Sequence, residues 1–90
     1  MQNKVTEVQI IPVKPKDGLV AFASFTFDNL FYFASIGIYT RPQGGYRLTY
    51  PTRRSATSSL PIFHPINKSI AVVIEKAVIS KYEEIISGEF

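Results

Sequence analysis

The chain is expected to be an α+β domain, an antiparallel sheet of four to five strands with one C-terminal helix packed on it. Two features carry that expectation. Residues 4–63 fall into short apolar or alternating runs, separated by turn signals at Lys14–Gly18, Asp28–Asn29 and Arg41–Gly45. Residues 67–87 hold no proline or glycine and repeat apolar residues at helical spacing as far as Gly88. With 90 residues and no internal repeat, the chain 1–90 reads as a single domain.

The first strand covers Lys4–Lys14, with Val5, Val8, Ile10, Ile11 and Val13 as its apolar residues. Pro12 inside it demands an edge position or a bulge, because proline cannot donate to a ladder. The change of phase between Val8/Ile10 and Ile11/Val13 is what a bulge produces. Asp17-Gly18 is a hairpin signal. The second strand, Leu19–Phe27, has a continuous apolar face of Leu19, Ala21, Ala23, Phe25 and Phe27, assigned to the core. Asp28 and Asn29 both tolerate the positive φ of a type I′ turn.

The third strand, Leu30–Thr40, is apolar on both faces. Strict alternation puts Leu30, Tyr32, Ala34, Ile36 and Ile38 on one side. Phe31, Phe33, Ser35, Gly37 and Tyr39 fall on the other. A strand apolar on both sides is covered twice, by its own domain or by a partner. Gly44 and Gly45 supply the freedom of the next turn. The fourth strand, Gly45–Tyr50, ends at Pro51, and the chain leaves the sheet carrying Arg53 and Arg54. Ser55–Ser59 is a small polar loop, and Leu60–Phe63 is a candidate fifth strand. His64-Pro65-Ile66-Asn67 leads into the helix at about 67–87, with Asn67 or Ser69 as its cap. Its stripe is Ile70, Val73, Ile74, Ala77, Val78, Lys81 and Ile85.

Hydrophobic residues make up 46% of the chain, enough for a core and an adhesive face as well. A homo-oligomer is therefore expected. The absence of cysteine excludes a disulfide framework, a Cys-based zinc site and a thiol nucleophile, and suits a reducing cytoplasm. A net charge of +3 is mildly basic and does not require nucleic acid. The polar start Met1–Glu7 does not read as a secretory leader, and no apolar run reaches the roughly 20 residues of a membrane span.

Each candidate site residue has a plain alternative. Arg53 and Arg54 offer the planar donor fork that fits phosphate oxygens; the alternative is two solvated arginines at a strand end. Lys68 at the helix start opposes the helix dipole, which an anion there would offset; the alternative is an ordinary surface lysine. Arg41 and Arg47 extend the basic set, and solvation alone also accounts for Arg47. His64, the lone histidine, lacks a pattern of metal or catalytic partners and reads as structural. Tyr32, Tyr39, Tyr46, Tyr50 and the phenylalanines can stack on bases; core or dimer packing is the better reading for most, and the stacking reading is kept for Tyr46 and Tyr50, near the arginines. The seven acidic residues are dispersed, with no paired-carboxylate site. There is no phosphate-binding glycine loop and no nucleophile motif. No enzyme activity, cofactor, metal or small-molecule substrate is expected.

Four segments together carry a resemblance: Glu7-Val8, the run Ala21–Asn29, Tyr50-Pro51-Thr52-Arg53-Arg54, and His64-Pro65-Ile66-Asn67 before a helix with Val78 and Tyr82. In this order and spacing the chain resembles the SpoVG (stage V sporulation protein G, septation regulator) family over roughly Lys4 to Glu84. The resemblance implies a small cytoplasmic homodimer that binds DNA or RNA as a regulator of septation and sporulation. The family's Pro-Ser-Lys/Arg-Arg pattern falls on Pro51, Thr52, Arg53 and Arg54, and its His-Pro-Ile-Asn pattern on His64 through Asn67. The chain departs from the family at Ala71 and Gln9, where relatives often place arginine, and both departures thin the basic surface. The turn Thr40–Gly45 and the loop Ser55–Leu60 also differ.

The expectation is thus a non-enzymatic nucleic-acid-binding regulator. Arg53 and Arg54 would hold the backbone, Lys68, Arg47 and Arg41 would assist, and Ser55–Ser59 would adapt to the groove. The rival is a protein-interaction module acting through its apolar sheet face without touching nucleic acid.

Overall fold

A computed structural model of the chain describes residues 4–88. Met1–Asn3, part of the polar start, and Glu89 and Phe90 lie outside the described residues. The strands are β1 (Val5–Lys16), β2 (Leu19–Phe27), β3 (Phe31–Thr40), β4 (Tyr46–Thr49), β5 (Thr52–Arg54) and β6 (Ser59–Pro61), followed by α1 (Lys68–Ile86). β1 to β4 form one antiparallel meander in sequence order. The expected fifth strand does form, at 59–61, but it pairs with β5 in a separate two-stranded sheet. The segment expected to leave the sheet as a loop is therefore a β-hairpin carrying Arg53 and Arg54.

β1 is an edge strand, which accommodates Pro12 opposite Ala21. Its bulge is not where the phase change suggested. Pairing runs unbroken from Gln9 to Pro12, and the register shifts lie at Thr6/Gln9 and Pro12/Lys16. Glu7, at φ 52°, makes the first of these. The bulge lets Val5, Val8 and Ile10, at unequal spacings, all pack on the core, while Ile11 points outward and is 65% exposed.

β3 holds a second correction. Ser35, at φ 64°, sits in a bulge between the pairs Phe33/Phe25 and Ile36/Ala23. The extra residue reverses the alternation. Phe33 then shares the core side with Ile36 and Ile38, while Tyr32, opposite Thr26, faces away. The strict two-face split expected from alternation fails for this reason. A register shift between Leu19 and Ala21 likewise parts Leu19 from the core face of β2. Its side chain instead lies beside Gly37. Asp28 and Asn29 both have positive φ, 55° and 56°, and the Leu30 N–H donates to the Phe27 carbonyl at 2.9 Å. Leu30 belongs to that turn, so β3 starts one residue later than expected.

α1 covers one face of the sheet. Asn67 is its N-cap, Oδ1 accepting from the Ile70 N–H at 3.1 Å. Gly88, at φ 72°, follows the C-cap Ser87, where few other residues fit. The buried ridge is Ile74, Val78 and Tyr82, spaced by four. Val73, expected in the stripe, is 40% exposed, whereas Tyr82 is buried and meets Tyr46 edge-on at 5.1 Å. The core joins this ridge to Val5, Ala21, Ala23, Phe25, Ile36 and Ile38. Ala21 and Ala23 are the small residues of this core.

Candidate nucleic-acid interface

Pro51 ends the ladder of β4, and the chain turns into β5–β6. Thr52 pairs with Pro61, Arg53 with Leu60 and Arg54 with Ser59. The tip is held by Ser55, whose N–H donates to the Ser58 carbonyl at 2.8 Å and whose Oγ accepts from the Ser58 N–H at 3.2 Å. At the base, the Ile62 N–H donates to the Pro51 carbonyl at 2.8 Å. The polar loop Ser55–Ser59 is thus closed by a serine turn. Every residue of the two strands is exposed.

Successive side chains of a strand point to opposite faces. Arg53 and Arg54 therefore project from opposite sides of the ribbon and cannot both grip one phosphate. Among the described residues the ion pairs are Lys4–Asp28 at 3.7 Å and Lys81–Glu84 at 3.2 Å. Neither includes Arg41, Arg47, Arg53, Arg54 or Lys68. These five cations fall in three places. Arg53 and Arg54 are on the hairpin, Lys68 opens α1, and Arg41 and Arg47 lie at the far end of β4 from the hairpin. The Arg47 guanidinium lies 4.8 Å from the centroid of the Tyr39 ring, a cation–π contact that orders it.

Beside the hairpin base is an apolar cavity of about 320 Å³, a feature that linear spacing did not reveal. Its walls include Phe31, Phe33, Phe63, Ile66 and Ile70. Phe33 is the hub: Phe63 stacks on it at 4.8 Å, with Phe25 and Phe31 at 5.7 and 5.9 Å. The partners come from three separate segments, so only folding assembles them. Tyr50 reaches Phe63 edge-on at 6.1 Å. Its phenol is pushed up to about 12, first by burial and then by the Glu75 carboxylate. It is therefore a neutral packing group at any physiological pH. Burial, with a smaller effect of Tyr46, also raises Tyr82. His64 lines the cavity, with its Nδ1 3.1 Å from the Pro65 carbonyl, consistent with a local structural role. Among the described residues no group of three or more His, Cys, Asp or Glu is placed to hold a metal. No helix among them is long and apolar enough to cross a membrane.

The class is thus a small α+β domain with a helix-backed four-stranded meander and a basic β-hairpin at the end of its fourth strand. The SpoVG family profile matches residues 3–84, and the chain belongs to that family. A relative from Caldicellulosiruptor saccharolyticus, whose name carries the words septation protein SpoVG, is 36% identical over 86 residues, covering 94% of this chain and 97% of its own. One from Caldicellulosiruptor bescii with the same name has the same identity and coverage. A third, from Archaeoglobus fulgidus, is 30% identical over 82 residues, covering 90% of this chain and 95% of its own.

Proposed function

We propose that this SpoVG-family chain is a non-enzymatic regulatory protein of the septation and sporulation type that binds DNA or RNA in the cytoplasm through backbone phosphates. The observation that supports it most is the hairpin. Two arginines stand on an exposed, stapled ribbon without a carboxylate partner among the described residues. Because they diverge, they suit two neighbouring phosphates rather than one. Lys68 assists from the helix start, and Arg47 and Arg41 from the far end of the sheet.

A homodimer is part of the proposal. The cavity is ringed by exposed apolar groups, with Phe31 at 56% and Ile66 at 92%, and a second copy covering them would remove that surface from water. The same rim favours the second reading, a protein-interaction module with no nucleic-acid role.

Fluorescence anisotropy across a salt series separates the two. Phosphate contacts release counterions, so affinity falls steeply with salt; apolar association does not. Wild type should bind a labelled duplex or single strand with a negative salt slope, and Arg53→Ala/Arg54→Ala should lose both affinity and slope. A wild type that binds neither at low salt returns the arginines to simple solvation and leaves the interaction module.

A further inference from the structure

The sheet face opposite α1 is uncovered among the described residues, and its register places a distinct set of groups across it. One rung runs Lys16, Leu19, Tyr39, Arg47 over all four strands. The next runs Ile11, Phe22, Gly37, Thr49. Further along come Gln9 with Ser24, then Thr6, Thr26 and Tyr32. Phe22 and Tyr32 are 39% and 69% exposed. Tyr39 is half-buried and is held by Arg47 on its ring. Gly37 leaves the room this needs, since a Cβ there would stand 3.0 Å from Tyr39 Cε1 and 2.6 Å from Thr49 Oγ1.

The charge at this face is concentrated at one end. Lys16 and Arg47 flank the first rung, and Lys14 and Arg41 stand in the segments adjoining it. Asp17, Glu7 and Asp28 are the acids of the strands and turns that frame the face, and Asp28, in the β2–β3 turn at the other end, is paired with Lys4. Asp17 is at the basic end, in a turn with φ 54°, and Glu7 is in the bulge of β1. The other segments at the basic end carry four cations against that one aspartate, which favours an anionic occupant.

We infer that this open face is a platform for single-stranded nucleic acid, with unpaired bases stacking on Phe22, Tyr39 and Tyr32 and phosphates drawn to Lys14, Lys16, Arg41 and Arg47. Exposed rings on a sheet accept the flat faces of unpaired bases, whereas duplex bases are already stacked on one another. Phe22 and Tyr39 are diagonal neighbours on adjacent strands. Tyr32 lies roughly 13 Å along the sheet from Phe22, so the face spans several nucleotides. Arg47 on Tyr39 presents a guanidinium plane at the basic border. The inference deepens the nucleic-acid reading and rests on it. It assigns a second surface, separate from the hairpin, and a preference for single strands.

The test is fluorescence anisotropy with labelled oligouridylate and with a duplex of equal length. Wild type is compared with Phe22→Thr, Arg47→Gln and Arg53→Ala/Arg54→Ala. Phe22→Thr and Arg47→Gln should each weaken single-strand binding by about tenfold, and Phe22→Thr should change duplex binding far less. Amide chemical shifts of the wild type, titrated with the same oligouridylate, should move at Phe22, Gly37 and Tyr39; this holds even where a variant fails to fold. If single-strand binding survives both open-face changes and is lost only with the arginine pair, the platform is wrong and the hairpin reading stands. If wild type binds neither probe, both fall. If the shifts at Phe22, Gly37 and Tyr39 respond to dilution of the protein alone and not to oligouridylate, the face is an interface between copies and the inference is overturned.

Discussion

Arg53 and Arg54 are adjacent in the chain, and adjacency on a strand sends their side chains apart. One consequence is that their contributions to binding should be nearly additive, since they share no partner. Single changes to alanine should each remove about one phosphate contact from the salt slope. Gly37 illustrates a different constraint, since it is buried with ordinary backbone angles and a Cβ would strike Thr49 Oγ1 and Tyr39. Gly37→Ala should lower unfolding free energy by about 1–3 kcal/mol in urea melts, and Gly37→Ala/Thr49→Ala should recover part of the loss. Tyr50 sets a limit at high pH. Its folded pKa of about 12 exceeds the ordinary tyrosine value of 10.0. Its neutral form is therefore favoured by folding, and that contribution is complete below pH 10 and is lost as pH rises through 12. Alkaline melts should show this loss, and Tyr50→Phe should flatten stability against pH over that window.

The bulges decide which way the strands face. Ser35 occupies a left-handed conformation that disfavours a β-branched side chain. Ser35→Val should cost about 1–3 kcal/mol, measured by thermal or urea unfolding, because it opposes the turn-over that brings Phe33 into the core. The helix depends on its cap in the same local way. Asn67→Ala leaves the Ile70 N–H without its 3.1 Å acceptor and should cost about 1 kcal/mol. Elements were largely legible in the sequence. The hairpin Asp28–Asn29, the N-cap and the C-terminal glycine were readable because turn and cap chemistry is local. The positions of the bulges were not, because Glu7 and Ser35 have no intrinsic preference that marks them. Their positive φ is imposed by strand partners that are remote in sequence.

Across the whole molecule, the cavity rim is apolar, while the hairpin and one end of the open sheet face carry the cations. Ile66→Asp, at a site 92% exposed, should leave the fold intact and reduce the mass measured by light scattering if a dimer covers that rim. Ile74→Ala, in the buried ridge, should instead destabilise the fold by about 2–5 kcal/mol. The α+β class, the order of strands and helix, and the basic residues themselves all follow from local preferences and periodicity, which are properties of neighbouring residues. The pairing of 59–61 with 52–54, the reversal of β3, the burial of Tyr82 and the gathering of Phe33, Phe63 and Ile66 around one cavity do not. They depend on contacts between residues far apart in the chain, whose energies are settled only when the segments pack together.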